Sequence, residues 1–477
     1  MRKIWFVAGA GLTAAVAATV VFISSDSEAK PPAGNTAVAL SNRVAATGLE
    51  GGKSSMKLFR IDVPSGAHDL AFTAYGNGKH AEPVDLYVRF GSPPAQKTFD
   101  DRDIGPDGTK LIFIHAPHPG AYYALVRGAH GSYSDVSLIA SYVPSGETFK
   151  VGLHAHHLYN RTATSTEPHF GYGLIRDWDI SGLHDAAIWR SDGSIDFDLV
   201  DQVYEGHARH GARVIKTFGS VPTWEAKRPG EPNKQFPSWP GGKSGPRDLN
   251  EYEDYVYRFV SHEKNALWAV EGWNEPYACE GKSEFASMTP TELADVQKRV
   301  FIAAKRADPH ILVLSPAQAY LCGIPTVLDA RTSQGEPIWK FFDALAWHAY
   351  NRSAKGDAGP SYAQEVMKVR GYLAAAGLKN MPVADTEHGW LEAPKEGGRE
   401  FYDMSDEQKA RVLFETAALA RSLGVIAIVW YGYDDSLIGK PMTSEAISQG
   451  LEQMYERLNT SGSAALRPTG YSRKSSR

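Results

Sequence analysis

Cysteine is almost missing from this chain of 477 residues: Cys279 and Cys322 are its only two. Two thiols exclude a cysteine-built zinc cluster and a small fold stapled by several disulfides. An excess of positive charge is missing too. Lys and Arg total 50 against 55 Asp and Glu, a net charge of −5 without long like-charge runs. That balance argues against nucleic acid as a partner and for a neutral substrate. The chain has no Gly-rich phosphate loop and no Ser-His-Asp arrangement at nucleophile-elbow spacing, so phosphoryl transfer and serine-hydrolase chemistry have no motif to rest on. No cysteine lies near the N-terminus, which argues against a lipoprotein anchor.

Aromatic residues, in contrast, are plentiful, with 11 Trp and 22 Tyr. Most serve packing, but Trp also suits a site that stacks on the flat apolar faces of sugar rings. The first residues, "MRKIWFVAGAGLTAAVAATVVFISSDSEAK", place Arg2 and Lys3 before an uncharged stretch from Ile4 to Ile23. This pattern directs export to the periplasm or beyond. Ser27 and Ala29 offer a small-residue cleavage site, so residues 1–29 fit both a cleaved signal peptide and a retained anchor spanning residues 4–23. In an oxidising compartment Cys279 and Cys322 can pair.

The remaining length suggests two or three units. Residues 30–55 are rich in Pro, Gly, Ser and Ala without periodicity and read as a linker. From 56 to 146 short β-prone runs alternate with turn signals: "KLFRIDVPSG", "DLAFTAYGNG", "VDLYVRFGSPP", "TKLIFIHAPHPG", "AYYALVRGAHG" and "VSLIASYVPSG". This predicts an all-β sandwich. The segments "DLYVRFGSPP" and "HPGAYYALVRG" resemble the bacterial pre-peptidase C-terminal domain, a module that accompanies secreted hydrolases without being the catalyst.

Between 150 and 458 the rhythm changes to eight β-like runs separated by amphipathic helical stretches: "VGLHAHH", "GLIRDWD", "ARVIKTFG", "WAVEGWNE", "ILVLSPAQ", "FDALAWHAY", "MPVADTEHGW" and "VIAIVWYGYDD". Eight βα units over about 300 residues predict an α/β fold, a (β/α)8 TIM barrel, ahead of a doubly wound open sheet. Thr289, Pro290 and Glu292 spell a helix start with a capping box, and Ser405 and Gln408 repeat the spacing. Residues 459–477 read as a flexible tail.

Catalytic groups of such barrels sit at the C-terminal ends of strands. Asn274 and Glu275 end the fourth run and Glu387 ends the seventh, on facing sides of the barrel mouth. Two converging carboxyl groups are what glycoside hydrolysis needs, one protonated to donate to the leaving oxygen and one ionised to attack the anomeric carbon. Arg176, ending the second run, can pair with Glu387 or with neighbouring Asp177 or Asp179. His348 and Tyr350 end the sixth run, and each is a donor for Glu387 or a sugar hydroxyl. Trp430, ending the eighth run, and Trp224, after the third, are candidate stacking platforms.

These residues resemble clan A of the glycoside hydrolases, and most of all family thirty-nine, which holds β-xylosidases, α-iduronidases and glycosidases of bacterial exopolysaccharide and biofilm operons. The resemblance implies Glu275 as general acid/base, Glu387 as nucleophile and Asn274 as partner of the sugar 2-hydroxyl, with no cofactor and no metal. A polysaccharide cut internally is the expected substrate; an exo-acting, β-xylosidase-like enzyme is the alternative. Cys279 and Cys322 follow adjacent strand ends, where a bridge would hold the acid/base loop. Two further readings stay open. His154 and His156 end the first run as zinc-binding imidazoles do in metal-dependent barrels, with His348 and Asp434 or Asp435 as supplements; in a glycosidase the same histidines contact sugar hydroxyls. A non-catalytic, polysaccharide-binding matrix protein is the other. The sequence leaves oligomeric state and sugar identity open.

Overall fold

The computed structural model describes residues 36–77, 83–105, 109–159, 167–277, 283–319, 321–350, 362–389, 405–434 and 445–459. The expected leader and tail, Cys279 and Asp435 lie outside the described residues. Among the described residues no helix is long and apolar enough to cross a membrane.

Nine strands build the N-terminal part: β1 (Val38–Ala39), β2 (Val44–Gly51), β3 (Met56–Val63), β4 (His68–Gly76), β5 (Asp85–Phe90), β6 (Asp101–Asp103), β7 (Thr109–Ile114), β8 (Gly120–Arg127) and β9 (Tyr133–Val143). They form two sheets, ordered β1-β3-β8-β5-β6 and β2-β9-β4-β7. Phe59, Ile61, Leu70, Phe72, Leu86, Val88, Ala124, Val126, Leu138 and Ala140 fill one core, as alternating strand faces dictate. One expectation needs correction. Residues 36–55 are not a plain linker, because β2 pairs antiparallel with β9 and β1 pairs parallel with β3. Both are edge strands of small and half-exposed residues, and without a buried face they carry little β signal.

Eight parallel strands follow: β10 (Lys150–His154), β11 (Leu174–Asp177), β12 (Arg213–Thr217), β13 (Leu267–Glu271), β14 (Leu312–Leu314), β15 (Leu345–Tyr350), β16 (Val383–Gly389) and β17 (Val425–Tyr431). Their order is β14-β13-β12-β11-β10-β17-β16-β15. Isolated parallel bridges Leu314 to Ala344 and Gln318 to Trp347 join the two ends of that row. The sheet is therefore a closed (β/α)8 barrel and not an open doubly wound sheet. Leu174, Ile215, Ala269, Ala346, Ala384, Ala427 and Val429 form a buried cluster of their own, small and branched side chains of the kind that fill a barrel interior.

Around the strands lie α1 (Asp185–Ile188), α2 (Phe197–Ala208), α3 (Leu249–Glu263), α4 (Pro290–Ala307), α5 (Ile324–Asp329), α6 (Tyr362–Ala375), α7 (Asp406–Ser422) and α8 (Glu445–Asn459). The capping box of α4 is formed: Glu292 N–H donates to Thr289 Oγ1 (3.2 Å) and Thr289 N–H to Glu292 Oε2 (2.8 Å). Its apolar face, Leu293, Val296, Val300 and Ala304, is buried in the helix–strand layer.

Sandwich and barrel share that layer. Ala71, Tyr75 and Ile139, on the outer face of the four-stranded sheet, belong to the same buried cluster as Leu413, Ala417 and Ala420 of α7. This explains why β4 is buried along nearly its whole length without alternation. At the contact Arg421 Nη1 donates to Asp69 Oδ2 (3.0 Å), both side chains being almost wholly buried. Arg43 Nε donates to Ser422 O (2.7 Å). Removing one member of a buried ion pair leaves the other under-compensated; here Asp69 would keep only the His115 ring (2.6 Å) as charged partner among the described residues. Arg421→Ala is therefore expected to destabilise the whole protein by about 3 kcal/mol in chemical denaturation; a change near zero would show that the contact contributes nothing to stability.

Candidate active site

All eight strands point their C-terminal ends at one rim, and the polar side chains gather there. Arg176, last but one in β11, is fully buried. Its Nη1 donates to Glu387 Oε2 (2.8 Å), its Nη2 to Asn274 Oδ1 (2.8 Å), and its Nε and Nη2 both to Glu271 Oε1 (3.2 and 2.5 Å). Thr217 Oγ1 donates to the same Glu271 oxygen (2.9 Å). Of the three partners that the sequence left open for Arg176, the structure pairs it with Glu387. Burial alone would lower the Arg176 pKa, but Glu271 and Glu387 outweigh it and hold the guanidinium protonated.

Glu387 also accepts from Tyr350 Oη. Burial and the adjacent carboxylate push the Tyr350 hydroxyl well above its usual range, so it stays a donor. Glu275 has a 17% exposed side chain and lies beyond the end of β13 with φ of 41°. Its carboxyl meets His348 Nδ1 at 2.7 Å, and the same nitrogen is 3.4 Å from Glu387 Oε2. One carboxylate oxygen of each glutamate and this imidazole nitrogen all lie within 4.8 Å of one another. Carboxyl groups about 5–5.5 Å apart characterise retaining glycosidases, and inverting ones hold them about 6.5–9.5 Å apart.

The acid/base properties follow from burial. Desolvation pushes Glu275 up to about 7; Glu271 and Asp179 add to the shift, and Arg176 opposes it. Burial likewise pushes His348 down to about 4, so its imidazole is neutral at physiological pH. At pH 6 the proton of this pair therefore resides on Glu275.

A second cluster forms the neighbouring wall. His154 Nε2 bonds Asp179 Oδ1, and His156 Nε2 lies 2.8 Å from Asp179 Oδ2. Tyr431 Oη is 3.0 Å from both His156 Nε2 and Asp179 Oδ2. Burial would raise the Asp179 pKa, but His154 and His156 outweigh it and hold it well below the carboxylate range. Of the supplementary ligands of the zinc reading, His348 and Asp434 are not brought to this cluster. His348 faces Glu275, and Asp434 accepts the backbone N–H groups of His156 (2.7 Å) and His157 (2.9 Å).

Two expected platforms are placed elsewhere. Trp430 is fully buried and packs edge-on against His388 (4.5 Å between centroids). It belongs with Ile428 to the helix–strand layer, and strand alternation turns Tyr431 into the site instead. Trp224 is half-buried against Trp189 (4.9 Å), which stacks on Tyr255 of α3, so it too serves the outer layer. Sequence reasoning missed Glu271, Asp179 and Tyr431. An acid closing the apolar strand "LWAVE" and the second acid of "RDWD" were the available signals.

No protein-family model matches the chain. Among curated proteins it is similar to a β-xylosidase of Geobacillus stearothermophilus, with 28% identity over 203 residues, 39% of this chain and 36% of that protein. A second similarity, 30% identity over 103 residues, is to alkaline serine exoprotease A of Vibrio alginolyticus and covers 22% of this chain and 18% of that one. The chain thus spans well under half the length of either relative. Of solved structures, a GH39 β-xylosidase from Caulobacter crescentus aligns with a TM-score of 0.46 at 22% identity, covering 63% of this chain and 66% of that one. A glucosidase from Croceicoccus marinus aligns with a TM-score of 0.49 at 16% identity, covering 65% and 69%.

A carboxyl whose folded pKa lies above its unfolded value opposes folding once the unfolded chain ionises. Its contribution falls as pH rises from about 4.5 to about 7 and is constant beyond. Glu275→Gln removes this penalty. It is expected to raise the melting temperature at pH 8 while leaving it nearly unchanged at pH 4; equal shifts at both would contradict the raised pKa.

Proposed function

We propose that the protein is a retaining glycoside hydrolase. The observation that carries this reading is the pair Glu275 and Glu387, brought within 4.8 Å at the barrel rim in unlike environments. Desolvation raises Glu275 to about 7, so it holds its proton in weakly acidic solution, as a general acid must. Arg176 and Tyr350 aim donors at Glu387, and donors favour the anion that attacks. In the first step Glu387 adds to the anomeric carbon while Glu275 protonates the departing oxygen. In the second, Glu275 takes a proton from water, and the hydroxide displaces Glu387 with the original configuration restored. Asn274, whose carbonyl is engaged by Arg176, keeps its amide donors for the 2-hydroxyl of the sugar. His154, His156, Asp179 and Tyr431 then meet hydroxyls of the same ring. No step calls for a metal ion, and activity is expected to survive exhaustive chelation; loss that zinc restores would favour the histidine reading.

The substrate we propose is a polysaccharide of bacterial origin cut internally, by an enzyme exported through residues 1–29. The similarity to a β-xylosidase favours a second reading, an exo-acting enzyme on β-xylosides. The sandwich is proposed as a pre-peptidase-like accessory module, which the 103-residue similarity to an exoprotease supports. A bridge between Cys279 and Cys322, which would hold the acid/base loop, is also proposed.

The reading is tested by following the anomeric configuration of the first-formed product by proton NMR, with xylan and bacterial exopolysaccharides as substrates. Retention is expected; inversion would sink the double displacement. The rate constant kcat/KM should fall as pH rises through about 7, the side on which Glu275 loses its proton. That limb should vanish in Glu275→Gln assayed on aryl glycosides, whose leaving groups need little protonation.

A further inference from the structure

The layer behind Glu387, between strands and helices, holds a carboxylate that the reaction does not use. Asp385, two residues before Glu387 on β16, is fully buried. It faces the outer side of the barrel wall: Val383, two residues earlier, lies in the helix–strand layer, whereas Ala384 lies in the barrel interior. An acid turned into an apolar layer is costly unless it is paired. Here its Oδ2 lies 2.7 Å from His388 Nδ1, and its Oδ1 accepts from the backbone N–H of Ala349 on β15 (3.3 Å). The His388 ring is held edge-on by Trp430 of β17 (4.5 Å between centroids) and by Tyr362 of α6 (5.3 Å).

These bonds span the place where the strand pairing is irregular. Trp347 pairs with Asp385 and His348 with Glu387, so Thr386 is an extra residue on β16. Asp385 and His388 flank the pair Thr386 and Glu387 and bond to each other on the outer side, while Glu387 between them turns inward to Arg176. The second bond of Asp385 reaches the facing strand. Ala349 lies in the helix–strand layer, so its neighbours His348 and Tyr350 point inward. There His348 meets Glu275, and Tyr350 donates to Glu387. One carboxylate outside the barrel thus bears on three groups inside it. In an unbroken ladder the register alone decides which side chains point inward. At a bulge the ladder is locally disrupted, and a side-chain bond can supply the missing constraint.

We infer that Asp385 is a positioning residue: by tying His388 and Ala349 together across the bulge, it keeps Glu387 aimed at the reacting centre without itself touching substrate. For its effect on rate the inference rests on the glycosidase reading; for its effect on the aim of Glu387 it does not. Displacing a reacting group by about 1 Å costs on the order of 100-fold in rate. Sugar binding, carried by other residues, changes little, so the loss falls on kcat and not on KM. A nucleophile out of line slows attack whatever the leaving group, whereas loss of the Glu275 proton slows departure of poor leaving groups alone.

The test compares full-length wild type, Asp385→Ala, Asp385→Asn and His388→Phe, each checked for folding by thermal melting, on nitrophenyl β-xyloside, dinitrophenyl β-xyloside and xylan. Asp385→Ala is expected to lower kcat about 100-fold on every substrate, with KM changed by less than about twofold. Asp385→Asn keeps an oxygen for the Ala349 N–H and an amide for His388, and should recover most of the rate. His388→Phe keeps a packed ring and drops the bond; it should lower kcat about tenfold, and it decides the matter where Asp385→Ala does not fold. Crystal structures of the variants give a readout independent of activity: Glu387 should have left Arg176 Nη1, which it meets at 2.8 Å in the wild type. Wild-type rates in the folded variants, no recovery in Asp385→Asn, or Glu387 still on Arg176 in their crystal structures would overturn the positioning role. No hydrolysis by wild type would count against the glycosidase reading and leave the crystallographic comparison to decide on Asp385.

Discussion

One buried cation organises the catalytic face. The Arg176 guanidinium is removed from water on all sides and compensated by Glu271, Glu387 and Asn274. Two carboxylates around a single guanidinium leave one negative charge in excess within the barrel. Glu275, beside this group, is kept protonated chiefly by desolvation; Arg176 opposes that shift, and Glu271 and Asp179 add to it. Burial thus sets the proposed acid apart, and the Arg176 pairing orients the proposed nucleophile. Glu271 takes no part in the chemistry we propose, yet it accepts two of the Arg176 donors and so directs the remaining one at Glu387. The fork geometry of guanidinium makes this possible, where the point charge of a lysine would not.

The strands deliver these groups only by breaking their own alternation. Along β16, Ala384 belongs to the buried interior cluster, and simple alternation would turn Thr386 inward and Glu387 outward. Opposite β15, however, Trp347 pairs with Asp385 and His348 with Glu387, an extra residue on β16 that reverses the parity. Such a bulge re-aims a side chain, here Glu387, the proposed nucleophile. Beyond β13, Trp273 faces the outer layer while Asn274 bonds Arg176, and Glu275 takes a positive φ that non-glycine residues seldom adopt. Its backbone is held there by Glu275 N–H donating to Ala317 O (2.8 Å) and by Ser283 on its carbonyl. Local strain at a site is tolerated when the surroundings fix it from both sides.

This accounts for what was and was not legible in the sequence. The eight apolar runs and the cap at Thr289 are local patterns, and each formed as the residues dictate. Glu275 and Glu387 were legible because both terminate such runs. Arg176 was legible as a charge at a strand end, but its partner was not, since Asp177, Asp179 and Glu387 are equivalent until the barrel closes. Trp430 and Tyr431 show the limit. Only the inward or outward sense of β17 separates a packing residue from a pocket residue, and one residue of register exchanges them. Glu271 and Asp179 were hidden for a related reason: an acid in an apolar strand is costly unless paired, and the partners come from other strands or from 25 residues away.

The sandwich bears on the same site through the outer layer. Ala71, Tyr75 and Ile139 complete the buried cluster that covers α7, and α7 lies in the chain between β16, which carries Glu387, and β17, which carries Tyr431. The Asp69–Arg421 pair and the Arg43 bond to Ser422 O fasten the end of α7 where it turns into β17. A tethered module that merely collects substrate needs no such contact. Here the outer face of β4 and β9 replaces solvent over the helix linking two walls of the pocket, so that taking the module away would expose apolar surface on both parts. The sandwich and the barrel are thus joined as layers of one structure, and the elements carrying Glu387 and Tyr431 are supported from outside as well as from the strands.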